Sequence, residues 1–141
     1  MPQATDDLFQ SYIDGRAKLR FAKQEHDKIV NSVAECYLGR GWSVRHDPSS
    51  VDLLAIDPAG VARIIEVKTT TQKTMSKQVR TGVGQVLEYK YRYNRNNQPA
   101  SRCDIVLNRP FAPDDWHREF CAENSITLDS FVEGSFMYGS V

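Results

Sequence analysis

The chain has 141 residues, a hydrophobic content of 40%, a charged content of 26% and a formal net charge of zero. This length and composition are typical of a single globular domain with a buried core, so we expect residues 1–141 to form one domain. The sequence has no apolar run long enough for a transmembrane helix, and its acidic start lacks the apolar core of a signal peptide. Three widely spaced cysteines without a CxxC pair favour reduced thiols over disulfides or a zinc site. We therefore expect a cytoplasmic protein without a membrane partner.

The charges are unevenly distributed along the chain. Residues 1–60 carry a net charge of −2, residues 61–102 carry +7 and residues 103–141 carry −5. A local basic face is what binding of nucleic-acid phosphates requires, and overall neutrality does not prevent it. The alternative is a solvated charged surface that binds nothing.

The predicted elements alternate between helices and strands. Apolar residues at helical spacing predict helices over residues 6–14, about 21–38, 81–94 and, after an acidic first turn, 116–123. Short runs rich in Val, Ile and Leu predict strands over residues 42–46, 51–56, 62–70, 103–107 and 126–128 or beyond. Residues 69–77 are polar and without periodicity, which predicts a loop. This order predicts an α/β fold with a mixed central sheet flanked by helices.

The hairpin over residues 51–70 carries the most informative chemistry. Its turn, Asp57-Pro58-Ala59-Gly60, predicts a three-residue loop with a bulge at a left-handed Gly60. That register places Asp52 opposite Glu66 on one face, whereas a two-residue loop would pair Asp52 with Ile65. Two facing acids repel each other unless a cation lies between them, and carboxylates suit a hard ion such as Mg²⁺. The alternative is a solvated hairpin that happens to carry charges.

Lys68 lies two residues beyond Glu66 and therefore on the same strand face. There it can hold a water molecule or a phosphate as a mobile positive charge. On the preceding helix, His26 lies on the apolar stripe and Glu35 lies well round from it. We expect His26 before Glu35 if this helix supplies a metal ligand, and a half-buried structural histidine if it does not.

These residues resemble the signature of the PD-(D/E)XK nuclease superfamily, with Asp52 on one strand and Glu66-Val67-Lys68 on the next. The segment Gln85-Val86-Leu87-Glu88-Tyr89 matches the QxxxY pattern of its RecB-type branch. His26, in QEHDKIV, lies where that branch carries a helical histidine ligand. The resemblance covers residues 26–89, and Val51 stands where the family pattern has a proline.

The resemblance implies a restriction-endonuclease-like fold, with an αβββαβ core over about residues 21–110 and a helix-and-strand extension over 111–141. It also implies a nuclease, dependent on Mg²⁺ or Mn²⁺, that hydrolyses phosphodiester bonds of DNA in a recombination, repair, phage or defence context. Endonuclease and exonuclease action, the strandedness of the substrate, RNA as a substrate and the number of metal ions all stay open.

The family roles transfer to matching positions of this chain. Asp52, Glu66 and the Val67 carbonyl are the implied metal ligands, with His26 as a further one. Lys68 is implied to position or activate the attacking water. On the next helix, Gln85 would support the site and Tyr89 would orient it. The alternative for Gln85 and Tyr89 is an ordinary helix that packs on the core.

The basic segment supplies candidate nucleic-acid contacts. They are Lys73, Lys77, Arg80, Gly82 and Arg92. Glycine near a helix N-terminus would let a backbone or a phosphate approach closely, and arginine beside tyrosines suits nucleic acid. Two further interpretations remain: a module that binds or assembles on nucleic acid without cleaving it, and a nuclease subunit that is active only with a partner chain. A homodimer is a further possibility for a small chain that must cut two strands.

Overall fold

The protein is described by a computed structural model that covers residues 24–47, 51–96, 102–112 and 114–139. The short helix expected over residues 6–14 and the first residues of the helix expected from about residue 21 lie outside this part of the chain. Within it, no helix is both long and apolar enough to cross a membrane. The three cysteines are free thiols, as expected.

Three helices and six strands make up the described fold. The helices are α1 (Gln24–Leu38), α2 (Met75–Asn96) and α3 (Trp116–Glu123). The strands are β1 (Ser43–Asp47), β2 (Val51–Ile56), β3 (Ala62–Lys68), β4 (Arg102–Leu107), β5 (Ile126–Val132) and β6 (Ser135–Phe136). Along the chain the order is α1, β1, β2, β3, α2, β4, α3, β5, β6.

The strands form one six-stranded mixed sheet in which neighbours along the chain are also neighbours in space. The pairs β1–β2, β2–β3 and β5–β6 are antiparallel, and the pairs β3–β4 and β4–β5 are parallel. A parallel neighbour requires a crossover connection, and α2 and α3 supply the two that this sheet needs. The expected α/β class, with a mixed sheet flanked by helices, is confirmed.

Two hydrophobic cores lie on opposite faces of the sheet. We call the first the α1-side core; its buried residues are Val30, Val33, Ala34, Tyr37, Leu53, Ala55, Ile65, Val67, Val106 and Phe131. The α2-side core consists of Val51, Leu54, Ala62, Ile64, Val79, Val83, Val86, Cys103, Ile105, Leu107, Phe111, Cys121, Ile126 and Leu128. Strand alternation explains the division, since Ile64 of β3 faces one core and its neighbour Ile65 faces the other.

Helix α2 begins at Met75, six residues before the predicted start, so the loop predicted over 69–77 is shorter than expected. The residues before it form a polar turn in which the side chains of Thr71 and Thr74 each accept a hydrogen bond from the other's backbone N–H. The backbone carbonyl of Thr74 then accepts from Gln78, which starts the helix. Side-chain hydrogen bonds of this kind start a helix without any apolar periodicity.

Strand β5 extends beyond Leu128, as the prediction allowed, and the chain then turns back on itself. β5 runs to Val132, and Glu133 and Gly134 both adopt positive φ before the short strand β6. Phe131 pairs with Phe136, whose rings meet edge to face at a centroid distance of 5.0 Å. This hairpin closes one end of the α1-side core.

Candidate functional site

The turn between β2 and β3 sets the register that the candidate site needs. Gly60 has a φ of +88°, and its N–H donates to the Asp57 carbonyl at 2.9 Å. The Asp57 carboxylate accepts from the backbone of Ala59 and Val61, at 2.9 Å each. These bonds build the expected three-residue loop with a bulge. They place Leu54 opposite Ile64 and Leu53 opposite Ile65, as predicted.

Continuation of this register brings Asp52 and Glu66 together. Asp52 is 8% exposed and Glu66 is 5% exposed. The backbone N–H of Asp52 donates to Glu66 Oε1 at 3.0 Å, and the N–H of Val67 donates to Asp52 Oδ2 at 2.8 Å. Each carboxylate is thus held by the backbone of the strand opposite, which fixes both side chains in a buried position.

The electrostatics of this pair are unfavourable without added positive charge. The pKa of Glu66 is raised to about 7, mainly by burial and next by the nearby charge of Asp52. Lys68 opposes this rise, since its Nζ lies 3.3 Å from Glu66 Oε2. Two carboxylates and one ammonium therefore share a buried site that an additional cation would stabilise.

Helix α1 adds a histidine to the same site. His26 Nε2 lies 3.1 Å from Asp52 Oδ2, and its Nδ1 lies 3.2 Å from Asp27 Oδ1. The imidazole therefore lies between two carboxylates, and Asp27, like Asp52, is buried. Glu35, the alternative on this helix, is exposed and lies nine residues further on, which is roughly 13 Å along the axis. The structure therefore brings His26, and not Glu35, to the acidic pair.

The remaining expected contributors lie on α2. Gln85 has a buried Oε1 that has no hydrogen-bond partner among the described residues. Tyr89 packs against the α2-side core, its ring stacks on Tyr93 at 6.2 Å, and Arg92 lies 5.9 Å over it. These contacts of Tyr89 agree with a helix that packs on the core, and the site roles expected for Gln85 and Tyr89 stay predictions.

The candidate nucleic-acid contacts divide into two groups. Lys73 is exposed in the turn before α2, and Lys77 and Arg80 are exposed at the start of the helix. Arg92 is largely exposed and pairs with Glu88 at 3.6 Å. Gly82 differs from this group because it lies inside the helix and faces the sheet. A Cβ there would lie 3.1 Å from Ile105 Cδ1, so the close approach that this glycine allows is to β4. The expected approach of a phosphate to Gly82 is therefore corrected.

Two supporting residues were missed at the level of sequence. Asp27 orients His26, and its position directly after the histidine was the available signal. Asn108 accepts from the Thr70 N–H at 2.7 Å and donates to Glu25 Oε1 at 3.1 Å, which joins the end of β3 to the start of α1. No local sequence pattern predicts hydrogen bonds between residues that are so far apart in the sequence.

A histidine outside this site also has partners that the sequence did not predict. No sequence pattern gives His117 a partner, but its ring hydrogen-bonds to Ser76 and to Asp115. Ser76 is 41 positions away in sequence, so only the packing of α3 beside α2 reveals this contact.

The carboxylate and imidazole donors of this site suit a divalent metal ion, but their present geometry is not that of a metal site. Among the described residues, no group of three or more His, Cys, Asp and Glu side chains has a geometry that could hold a metal ion. In the present arrangement, backbone N–H groups, His26 and Lys68 contact the oxygens of Asp52 and Glu66.

Comparison with known proteins gives a likeness of fold. No family model matches the chain, and no curated protein matches it. The chain is similar to the crystal structure of an XisH family protein from Nostoc punctiforme PCC 73102, determined at 1.60 Å resolution. The TM-score is 0.54 at 20% sequence identity, and the match covers 78% of this chain and 94% of that one. The two proteins therefore share a fold.

Proposed function

We propose that the chain is a metal-dependent nuclease that hydrolyses phosphodiester bonds, with DNA as its substrate and Mg²⁺ or Mn²⁺ as its cofactor. The observation that carries this proposal is the buried, facing pair Asp52 and Glu66 with Lys68 and His26 around it. The fold shared with the XisH family protein agrees with the α/β class that the nuclease resemblance implies.

Asp52, Glu66 and the Val67 carbonyl would hold the metal ion, with His26 as a further ligand. Carboxylate, carbonyl and imidazole donors together suit Mn²⁺ as well as Mg²⁺. When bound, such an ion neutralises charge on the phosphate and lowers the pKa of water. The raised pKa of Glu66 supports the fit, because a cation would offset the repulsion between the two carboxylates.

The protein side chains would then position the reacting groups. Lys68 is paired with Glu66, and its ammonium could donate instead to the attacking water or to the scissile phosphate. Asp27 would keep the His26 ring in the orientation in which Nε2 faces Asp52. Gln85, whose Oε1 has no partner among the described residues, would accept from a water near the site.

The exposed basic residues would hold the substrate. Lys73, Lys77 and Arg80 lie on the segment that follows Lys68, so a strand bound there would continue into the carboxylate site. Arg92 would extend the contact along α2. Action as a homodimer, dependence on a partner protein and a cytoplasmic location stay predictions.

The proposal is tested by incubating the purified chain with end-labelled duplex, single-stranded and branched DNA, and with RNA. Each reaction contains Mg²⁺, Mn²⁺ or EDTA. Glu66→Gln and Lys68→Met are expected to lower the cleavage rate by two or more orders of magnitude, since the first removes the charge of a metal ligand and the second removes the ammonium that would contact the water or the phosphate. Two substitutions at exposed positions serve as matched controls: Glu123→Gln on α3 and Lys28→Met on α1.

Metal-dependent cleavage that both active-site variants lose and both controls keep would support the proposal. Cleavage that persists in Glu66→Gln would contradict it. Binding without cleavage, with affinity that falls as salt is added, would favour the non-cleaving module or the partner-dependent subunit. Neither cleavage nor binding would exclude all three.

A further inference from the structure

A second constellation of reactive side chains lies where the N-terminal ends of α2 and α3 meet. Ser76 Oγ is 2.7 Å from His117 Nε2, and His117 Nδ1 is 2.5 Å from Asp115 Oδ1. These are a hydroxyl, an imidazole and a carboxylate in series. None of the three belongs to the carboxylate site described above.

The hydrogen-bond roles in this series follow from the carboxylate. Asp115 is the N-cap of α3, and its Oδ1 also accepts from the His117 backbone N–H at 2.8 Å. An ionised carboxylate only accepts, so a neutral His117 ring carries its proton on Nδ1. Its Nε2 is then the acceptor, and the Ser76 hydroxyl donates to it. This is the arrangement in which a general base activates a serine nucleophile.

The imidazole is held in place and Ser76 stays partly accessible. His117 is 6% exposed, and the Trp116 ring stacks on it at a centroid distance of 3.8 Å. Ser76 is half-buried. Trp116 and Phe120 are 60% and 37% exposed, so an apolar surface lies beside the triad. Such a surface suits an apolar acyl or aryl group.

Backbone donors lie close to the same hydroxyl. In the first backbone hydrogen bond of α2, the Gln78 N–H donates to the Thr74 carbonyl. The helix begins at Met75, so Ser76 is its second residue. The N–H groups of a first helical turn have no acceptor within their own helix. They can therefore stabilise negative charge that develops on an oxygen next to Ser76 Oγ.

We propose that Ser76 is an activated nucleophile, with His117 as its general base and Asp115 as the positioning residue, in a second site that accepts small esters with an apolar acyl or aryl group. Ser76 Oγ attacks the ester carbonyl and its proton passes to His117 Nε2. The C–O bond to the alcohol breaks, and the alcohol leaves with that proton. Water, deprotonated by His117, then releases the acid and regenerates the serine.

The test uses the full chain in EDTA, so that it does not depend on the proposed nuclease chemistry. The wild-type protein is treated with p-nitrophenyl acetate, whose early burst of nitrophenolate is followed, and separately with a fluorophosphonate probe. The modified residue is located by peptide mass mapping. We expect a burst of up to one equivalent and a single adduct on the peptide that contains Ser76.

Three variants separate a catalytic role from a structural one. Ser76→Ala is expected to abolish the burst and the adduct, and Ser32→Ala, at a half-buried serine of α1, is expected to keep both. Asp115→Asn is the informative change, because asparagine caps a helix as well as aspartate does but does not stabilise the imidazolium. We expect Asp115→Asn to fold normally and to label roughly tenfold more slowly or worse.

The proposal is overturned if the wild-type protein forms no adduct, if the adduct lies on another residue, or if Asp115→Asn labels at the wild-type rate. Because the mapping on wild-type protein and the rate of Asp115→Asn decide the question together, a Ser76→Ala variant that fails to fold leaves the test intact. Loss of DNA cleavage in the nuclease assay has no bearing on these outcomes.

Discussion

At the scale of single residues, the two buried acidic clusters of this protein differ in how their charge is compensated. Asp104 lies 3.5 Å from the guanidinium Nε of Arg63, which is buried among the rings of Tyr37 and Trp42. Asp52 and Glu66 instead face each other. Asp129 also lies near Asp104, but the guanidinium charges of Arg63 and Arg102 oppose these two carboxylates, whereas one ammonium, that of Lys68, opposes the charges of Asp52 and Glu66. The second cluster therefore has the larger uncompensated negative charge and is the candidate metal site.

The buried Asp104 predicts a pH dependence of stability. Burial raises the pKa of this carboxyl from 3.8 to about 6, although Arg63 and Arg102 lower it. The native state therefore binds the proton more tightly than the unfolded chain does. Asp104 contributes most to stability below about pH 4, and this contribution falls by about 1–3 kcal/mol as the pH rises through 6.

Urea unfolding at a series of pH values measures this contribution. We expect Asp104→Asn to flatten the curve between about pH 4 and pH 6 relative to the wild-type protein, because the amide does not titrate. Asp114→Asn, at an exposed position, is the control and should leave the curve unchanged. A curve for Asp104→Asn that runs parallel to that of the wild-type protein would contradict the assignment.

Residues that meet across long sequence separations mark the limit of what could be predicted. Asp52 and Glu66 were paired correctly because turn chemistry alone determines their register. His26 reaches Asp52 only through the packing of α1 on the sheet, so periodicity could place it on the right helix face and no further. The contact between Ser76 and His117 depends on two helices that no local pattern relates.

At the scale of elements, the β2–β3 hairpin and α2 each carry a glycine with free space around it, but in different backbone conformations. A Cβ at Gly60 or at Gly84 would meet no atom within 4 Å. Gly60 has a φ of +88°, whereas Gly84 lies in the regular helix α2. Any difference between alanine substitutions at the two positions therefore reports backbone conformation and not steric contact.

We expect Gly60→Ala and Gly84→Ala to change stability in opposite directions. A left-handed conformation costs an alanine about 1–2 kcal/mol, so Gly60→Ala should destabilise the protein by that amount. Alanine in a helix is favoured over glycine by about 0.5–1 kcal/mol, so Gly84→Ala should stabilise it. Chemical denaturation of both variants measures these changes. Destabilisation by Gly84→Ala would contradict the regular helix at that position, and an unchanged stability of Gly60→Ala would mean that the turn is not built as described.

Elements were predicted well where apolar periodicity marks them and poorly where polar side chains start or end them. The strands β1 to β4 begin and end close to their predicted positions because each is an apolar run bounded by turn residues. The start of α2 was missed because threonine side chains begin it inside a polar segment. Consequently Lys77 and Arg80, expected on or next to a loop, lie on a helix with fixed spacing between them.

At the scale of the whole molecule, one sheet carries both hydrophobic cores and the candidate site. Strands β2, β3, β4 and β5 each contribute side chains to the α1-side core and to the α2-side core. Loss of packing on either face therefore weakens strands that the other face needs. We expect the described fold to unfold as a single cooperative unit, and we expect the hairpin that holds Asp52 and Glu66 to unfold with it.

Truncation of one buried valine in each core tests this expectation. Val33 lies in the α1-side core and Val86 in the α2-side core, and both are fully buried. Each change to alanine should lower the free energy of unfolding by about 1–3 kcal/mol.

The chain has two tryptophans, so Trp116→Phe leaves only Trp42, which packs against the α1-side core. In that background, Val86→Ala should shift the unfolding midpoint of Trp42 fluorescence as far as it shifts that of the far-ultraviolet circular dichroism. If the fluorescence midpoint stays in place while the circular dichroism midpoint moves, the two faces of the sheet unfold separately. The acidic pair on β2 and β3 could then lose its support from α2 without unfolding of α1.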